Sequence, residues 1–160
     1  MAIKAGDKAP SVTFKTMGDS GPENLSSEDL FAGKKVVLFA VPGAFTPPCS
    51  AKHLPGFVQN AEAIKAKGID EIACVSVNDP FVMGAWGKDQ NVGARVKMVA
   101  DGNGEFAKAC GLEMDGSGFG LGTRMRRCAM IVENGTISQL FLEEPGQVEN
   151  STAENILANL

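Results

Sequence analysis

The sequence predicts an α/β fold with a central mixed sheet, and three observations predict it. Short apolar, β-branched runs alternate with amphipathic stretches. Gly and Pro fall between those runs as turn punctuation. Towards the carboxyl end, Asn134-Gly135 separates two apolar runs, which is the strongest short hairpin signal. The chain has 160 residues. That length suits one domain, residues 1–160, with enough chain to bury a core.

The elements follow in order. The first thirty or so residues read only as an N-terminal extension. Lys34–Val41 is apolar and β-branched, begins after Gly33 and stops at Pro42-Gly43, so it reads as a buried central strand. Phe57–Lys67 places Phe57, Val58, Ala61 and Ile64 at helical spacing, and Gly68 ends it. Ile72–Val77 is a second buried strand. Asp79 then reads as the cap and Pro80 as the first turn of a helix carrying Phe81, Met83 and Trp86. Val96–Ala100 is a third strand, and a short helix follows over Glu105–Cys110. Arg127–Val132 and Thr136–Phe141 form the hairpin, and Thr152–Leu160 a last helix. Strands alternating with helices, then a hairpin and a helix, describe helices flanking a mixed sheet in the style of thioredoxin.

Composition excludes several functions. Hydrophobic residues make up 44% and charged residues 21%, an ordinary soluble balance. The net charge of −4 gives no general attraction to nucleic acid or anionic lipid. With no Tyr and one Trp, a base-stacking platform is poorly supplied. No apolar run approaches the ~20 residues that cross a bilayer. The first eight residues show no apolar signal core and carry an early acid, Asp7, so a cytoplasmic location is expected.

There are four cysteines, Cys49, Cys74, Cys110 and Cys128, and one histidine, His53. No C-x-x-C pair occurs, so neither a zinc site nor a disulfide reductase is expected. A domain of this size needs no disulfide staples, so free thiols are the expected state.

One of those thiols has an unusual setting. Val41-Pro42-Gly43-Ala44-Phe45-Thr46-Pro47-Pro48-Cys49-Ser50 puts a thiol beyond the carboxyl end of a buried strand, near a helix start. Open α/β sheets bind ligands outside those strand ends. Unpaired helix N–H groups and their partial positive charge favour thiolate over thiol. Thr46 can point its hydroxyl into the same pocket, and Pro42 and Pro48 stiffen the loop. The expected site is a donor-lined cup at the mouth of the sheet. Taken alone, such a cysteine is more often a small buried hydrophobe than a reactive thiol, and it is the surrounding pattern that turns the reading round.

Pro42-x-x-x-Thr46-x-x-Cys49 resembles the active-site motif of the peroxiredoxin family. The wider string through His53-Leu54-Pro55-Gly56-Phe57 looks like the peroxiredoxin-five class, which includes the plant type II enzymes. The likeness extends through Val77-Asn78-Asp79 and Gly122-Thr123-Arg124 to Arg127, over nearly the whole chain. It implies a thiol peroxidase acting on hydrogen peroxide and alkyl hydroperoxides. Cys49 would be the peroxidatic thiolate, Thr46 would hydrogen-bond the peroxide, and Pro42 would shield the sulfur. Arg127 would be the active-site arginine. Gly43, Phe45, His53 and Arg124 would support them from behind. The sulfenic acid would be reduced by glutathione with glutaredoxin, or by thioredoxin. Cys74 matches a second cysteine of the plant enzymes, but it lies in a predicted buried strand, where bridging to Cys49 would require local unfolding. Cys110 and Cys128 read as structural. No metal or bound cofactor is required, and a homodimer is expected. The alternatives are a peroxide sensor relaying oxidation to a partner and a domain that merely retains the fold. His53, four residues from Cys49, also invites a Cys–His hydrolase, but no third orienting group accompanies it.

Overall fold

The computed structural model describes residues 2–160. Seven strands form the main sheet. In chain order they are β1 (Thr13–Gly18), β2 (Gly21–Ser26), β3 (Lys35–Ala40), β4 (Glu71–Ser76), β5 (Lys97–Ala100), β8 (Cys128–Glu133) and β9 (Thr136–Leu142). Across the sheet they run β2-β1-β5-β4-β3-β8-β9. β3, β4 and β5 are parallel, and the flanking pairs are antiparallel. The sheet is therefore mixed, as expected. Two short strands, β6 (Glu113–Asp115) and β7 (Thr123–Met125), pair apart from it.

The period of two along β3 builds both halves of the core. Val37, Phe39 and Val41 pack with helices α2 (Leu54–Gln59), α3 (Ala61–Ala66), α4 (Pro80–Asp89) and α6 (Ala153–Ala158). Val36, Leu38 and Ala40 face the other way, towards α1 (Ser27–Phe31) and α5 (Glu105–Cys110). Both faces of β3 are dry, which is why its sequence is a continuous apolar run. No helix among the described residues is long and apolar enough to cross a membrane.

Local chemistry explains the boundaries. Asn134 (φ 49°) and Gly135 (φ 83°) both take the left-handed backbone of a type I′ turn between β8 and β9. Asp79 caps α4, accepting the Val82 N–H at 2.8 Å, with Pro80 in the first turn.

Two expectations need correction. The N-terminal extension is structured: residues 13–31 form the β1–β2 hairpin and α1. Only Phe14 of β1 is fully buried, so the alternation that announces a strand is weak there. The single helix over 57–67 is two helices, broken at Asn60, whose side chain donates to the Gly56 carbonyl at 2.7 Å. Its first part begins at Leu54 and continues a π-helical turn, Cys49–His53, closed by the Leu54 N–H on the Cys49 carbonyl. Pro55 lacks an N–H, and its ring would crowd the carbonyl four residues earlier, so the chain widens one turn before it.

Candidate active site

The loop after β3 is shaped by close approach. A Cβ at Gly43 would lie 2.8 Å from Arg124 Nη1 and 3.1 Å from Thr46 Cγ2, so a side chain there would displace Arg124 from the loop. Arg124 Nη1 donates to the Pro42 carbonyl at 3.2 Å, and its Nε donates to the Leu121 carbonyl at 2.9 Å. This arginine staples the β6–β7 side of the molecule to the neck of the loop. The Ala44 N–H donates to Asn78 Oδ1 at 3.0 Å. Phe45 takes a left-handed backbone, φ 64°, unusual for a bulky residue, and its ring is half exposed. That ring tilts over Trp86, with centroids 6.4 Å apart. Trp86 Nε1 donates to Ser50 Oγ at 2.9 Å, tying α4 to the residue after Cys49.

Cys49 is deeper than its sequence setting suggested. It is 0% exposed and belongs to the apolar cluster under the sheet. What sets it apart is its polar company. Thr46 Oγ1 lies 2.9 Å from its Sγ and 2.7 Å from the Gly43 carbonyl. One hydroxyl proton cannot serve both acceptors. With a thiol, S–H donates to Oγ1 and Oγ1–H to the carbonyl; with a thiolate, the hydroxyl turns to the sulfur.

The second donor is Arg127, on the residue before β8. β8 pairs with β3 with Cys128 opposite Ala40, which brings Arg127 level with the loop. Its Nη2 donates to Cys49 Sγ at 2.9 Å, and the residue is 9% exposed. Its Nη1 lies 2.7 Å from His53 Nδ1. Arginine only donates, so Nδ1 must be the unprotonated imidazole nitrogen. His53 Nε2 sits 2.9 Å from the Ser151 carbonyl, which only accepts, so Nε2 carries the proton. Both contacts name the same tautomer. Burial, then the Arg127 charge, push the His53 pKa down to about 4. A neutral imidazole whose free lone pair is taken by Arg127 has nothing left with which to deprotonate Cys49. The Cys–His hydrolase arrangement is absent.

Cys74 lies mid-strand in β4, opposite Phe39, and is 0% exposed. Burial, then the neighbouring Cys49 charge, push its thiol up, against the pull of Arg127. Burial likewise pushes the Cys128 thiol up to about 12 and raises Cys110. All four cysteines are free. The structure thus links Cys49, Thr46, Arg127 and His53 through hydrogen bonds, with Pro42 and Gly43 in the loop and Arg124 of β7 bonded to it. Two polar residues next to this group were not legible in the sequence. They are Ser151, which fixes the histidine, and Glu143, which holds Ser151. Both lie far along the chain from Cys49, and neither sits in a local motif.

A family model described as Redoxin matches residues 4–157. Peroxiredoxin-2D from Arabidopsis thaliana is 48% identical over 159 residues, 99% of this chain and 98% of that one. The crystal structure of reduced Prx3 in complex with hydrogen peroxide from Vibrio vulnificus is 52% identical, covers 98% of each chain and superposes with a TM-score of 0.94. The Plasmodium falciparum antioxidant protein, described as a 1-Cys peroxiredoxin, is 31% identical, covers 99% of this chain and 100% of that one, and has a TM-score of 0.90.

Proposed function

The chain belongs to the redoxin family and, within it, to the peroxiredoxins, which are thiol-dependent peroxidases; on that premise we propose that Cys49 is its peroxidatic nucleophile. One observation carries the assignment. Cys49 Sγ alone among the four cysteine sulfurs has a charged donor and a hydroxyl aimed at it, Arg127 Nη2 and Thr46 Oγ1, each at 2.9 Å.

The sulfur attacks the terminal oxygen of a hydroperoxide. An S–O bond forms, the O–O bond breaks, and the alkoxide or hydroxide leaves and takes a proton. Negative charge passes from sulfur to the two oxygens, where Arg127 and Thr46 can follow it. Pro42 closes one side of the loop. Because Cys49 has no exposed surface, entry of peroxide requires the residues around it to move. A peroxide complex is the state described for the Vibrio relative. Hydrogen peroxide and small alkyl hydroperoxides fit this reading.

The sulfenic acid is then reduced from outside the chain. Cys74 is buried in a strand paired on both sides, so a disulfide with Cys49 would cost that part of the sheet. The one-cysteine description of the Plasmodium relative points the same way. Glutathione with glutaredoxin, or thioredoxin, supplies the electrons: one thiol forms a mixed disulfide and releases water, and a second thiol frees Cys49. The reading includes a cytoplasmic homodimer, for which exposed Phe45, Phe81 and Phe119 supply apolar surface.

The test is one equivalent of peroxide followed by mass spectrometry of the tryptic peptides. Oxygen on Cys49, with Cys74 unmodified, is the expected result, and Cys49→Ser should abolish peroxide reduction. Oxygen arriving first on another sulfur, or an active Cys49→Ser variant, would refute the assignment. Slow turnover with a trapped mixed disulfide to a protein partner would mark a sensor instead.

A further inference from the structure

Glu143 follows β9 and is 3% exposed, yet it lies on no surface involved in binding peroxide. Its Oε2 accepts the Glu149 N–H at 2.7 Å, the Ser151 N–H at 2.8 Å and the Ser151 hydroxyl at 2.6 Å. One carboxylate oxygen thus gathers the whole 149–151 turn. Burial alone pushes this carboxyl up, but the hydrogen bonds it accepts carry it below the usual range, so it is charged. Its own N–H donates to the Arg127 carbonyl at 3.1 Å. Its carbonyl accepts from Arg126 Nη2 at 3.2 Å.

The turn that Glu143 gathers carries the carbonyl that matters. The Ser151 carbonyl accepts the hydrogen bond of His53 Nε2–H, which leaves Nδ1 free to accept from Arg127 Nη1. With Nη1 occupied in this way, the planar guanidinium turns Nη2 onto Cys49 Sγ. The charged groups acting on His53 are Arg127 and Glu143, one on each side. Two contacts hold this tautomer together, Arg127 at Nδ1 and the Ser151 carbonyl at Nε2. Were the Ser151 carbonyl to swing away, the proton of His53 could move to Nδ1, which would then face an arginine donor with another donor.

We infer that Glu143 is a positioning residue for the reaction: by fixing the Ser151 carbonyl it holds His53 in its Nε2–H tautomer, and that tautomer aims Arg127 at the Cys49 sulfur. The inference rests on Cys49 being the nucleophile.

The chain has a single histidine, so its imidazole nitrogens give one unambiguous pair of signals in 15N NMR. Wild type should show a protonated Nε2 and an unprotonated Nδ1 across about pH 5.5 to 8. In Glu143→Ala the signals should move towards a mixture of tautomers. The same variant should lose about tenfold in kcat/KM for hydrogen peroxide. Glu143→Gln keeps the shape and one acceptor, so it should lose about threefold and shift the signals less. A merely structural glutamate would lower the melting temperature without changing the tautomer or this ranking. Folded variants with wild-type 15N signals, or with wild-type kcat/KM, would overturn the inference. If Glu143→Ala does not fold, Glu143→Gln decides by the same two readings. Cys49→Ser in the same assay separates the premise from the inference: activity there removes the nucleophile, whereas the histidine signals test the link to Glu143 in a folded chain whatever the activity.

Discussion

Cys49 and Cys74 lie in the same apolar cluster and are equally buried, both at 0% exposure. They differ in what touches the sulfur. Cys49 meets a guanidinium and a hydroxyl at hydrogen-bond distance. Cys74 sits mid-strand among Phe39 and other apolar side chains, and its thiol is pushed well above its ordinary range. Burial alone makes a thiol inert, since nothing replaces the water that would stabilise its anion. Cys49 is buried with fixed donors instead, already oriented and without bulk water competing for them, which is the arrangement the proposed nucleophile calls for.

Removing those donors should erase the contrast, and the largest effect is expected at Arg127. Arg127→Leu keeps the apolar stem but takes the charge from the sulfur and the donor from His53. First-turnover oxidation of Cys49, followed by stopped-flow emission of Trp86, should slow by about 100-fold or more. Thr46→Val, nearly isosteric, removes only the hydroxyl that shuttles between Gly43 and the sulfur; about tenfold is expected. Equal losses in the two variants, or no loss in Arg127→Leu, would show that the charge is not what distinguishes Cys49.

A second comparison is between protonation states of His53. Burial and the Arg127 charge hold its pKa down to about 4 in the fold, against an ordinary value of 6.5. The unfolded chain therefore binds a proton in that window and the folded chain does not. Stability is complete above pH 6.5 and is lost as pH falls towards 4. Between pH 6.5 and 5 the loss from this group is about 2 kcal/mol. His53→Gln should flatten that slope in urea titrations at the two pH values. An unchanged slope would mean that the imidazole is already charged in the folded protein, contrary to the tautomer that its two neighbours define.

Much of this was legible in the sequence, for identifiable reasons. β3, β4 and β5 are buried on both faces, so their apolar runs stand out against their surroundings. The loop from Pro42 to Cys49 concentrates its chemistry in eight residues, and its resemblance to a known motif brought in Arg127. The β1–β2 hairpin was hidden because its residues lie half exposed at the sheet edge, where alternation is weak. The depth of the sulfur was hidden because the helices and strands that cover it come from distant parts of the chain. Glu143 and Ser151 were hidden for a third reason. They reach His53 only because β9 and α6 return alongside the helices that follow β3, and Glu143 next to Glu144 and Pro145 looks like any solvated loop.

The smallest effect is expected where the comparison began, at Cys74. Cys74→Ala takes one sulfur from a close-packed interior and leaves a small void, for a cost of about 1 kcal/mol in stability. It touches neither donor on Cys49. The rate of first oxidation should therefore stay within about twofold of wild type, a change worth less than 0.5 kcal/mol in barrier. Turnover with an external thiol should stay equally close, because no step of the proposed cycle passes through that strand. A normal first oxidation followed by stalled turnover would identify Cys74 as the resolving thiol after all. In that case β4 would have to part from β3 in every cycle, and the amide protons of Phe39 and Cys74 would exchange faster in the oxidised protein.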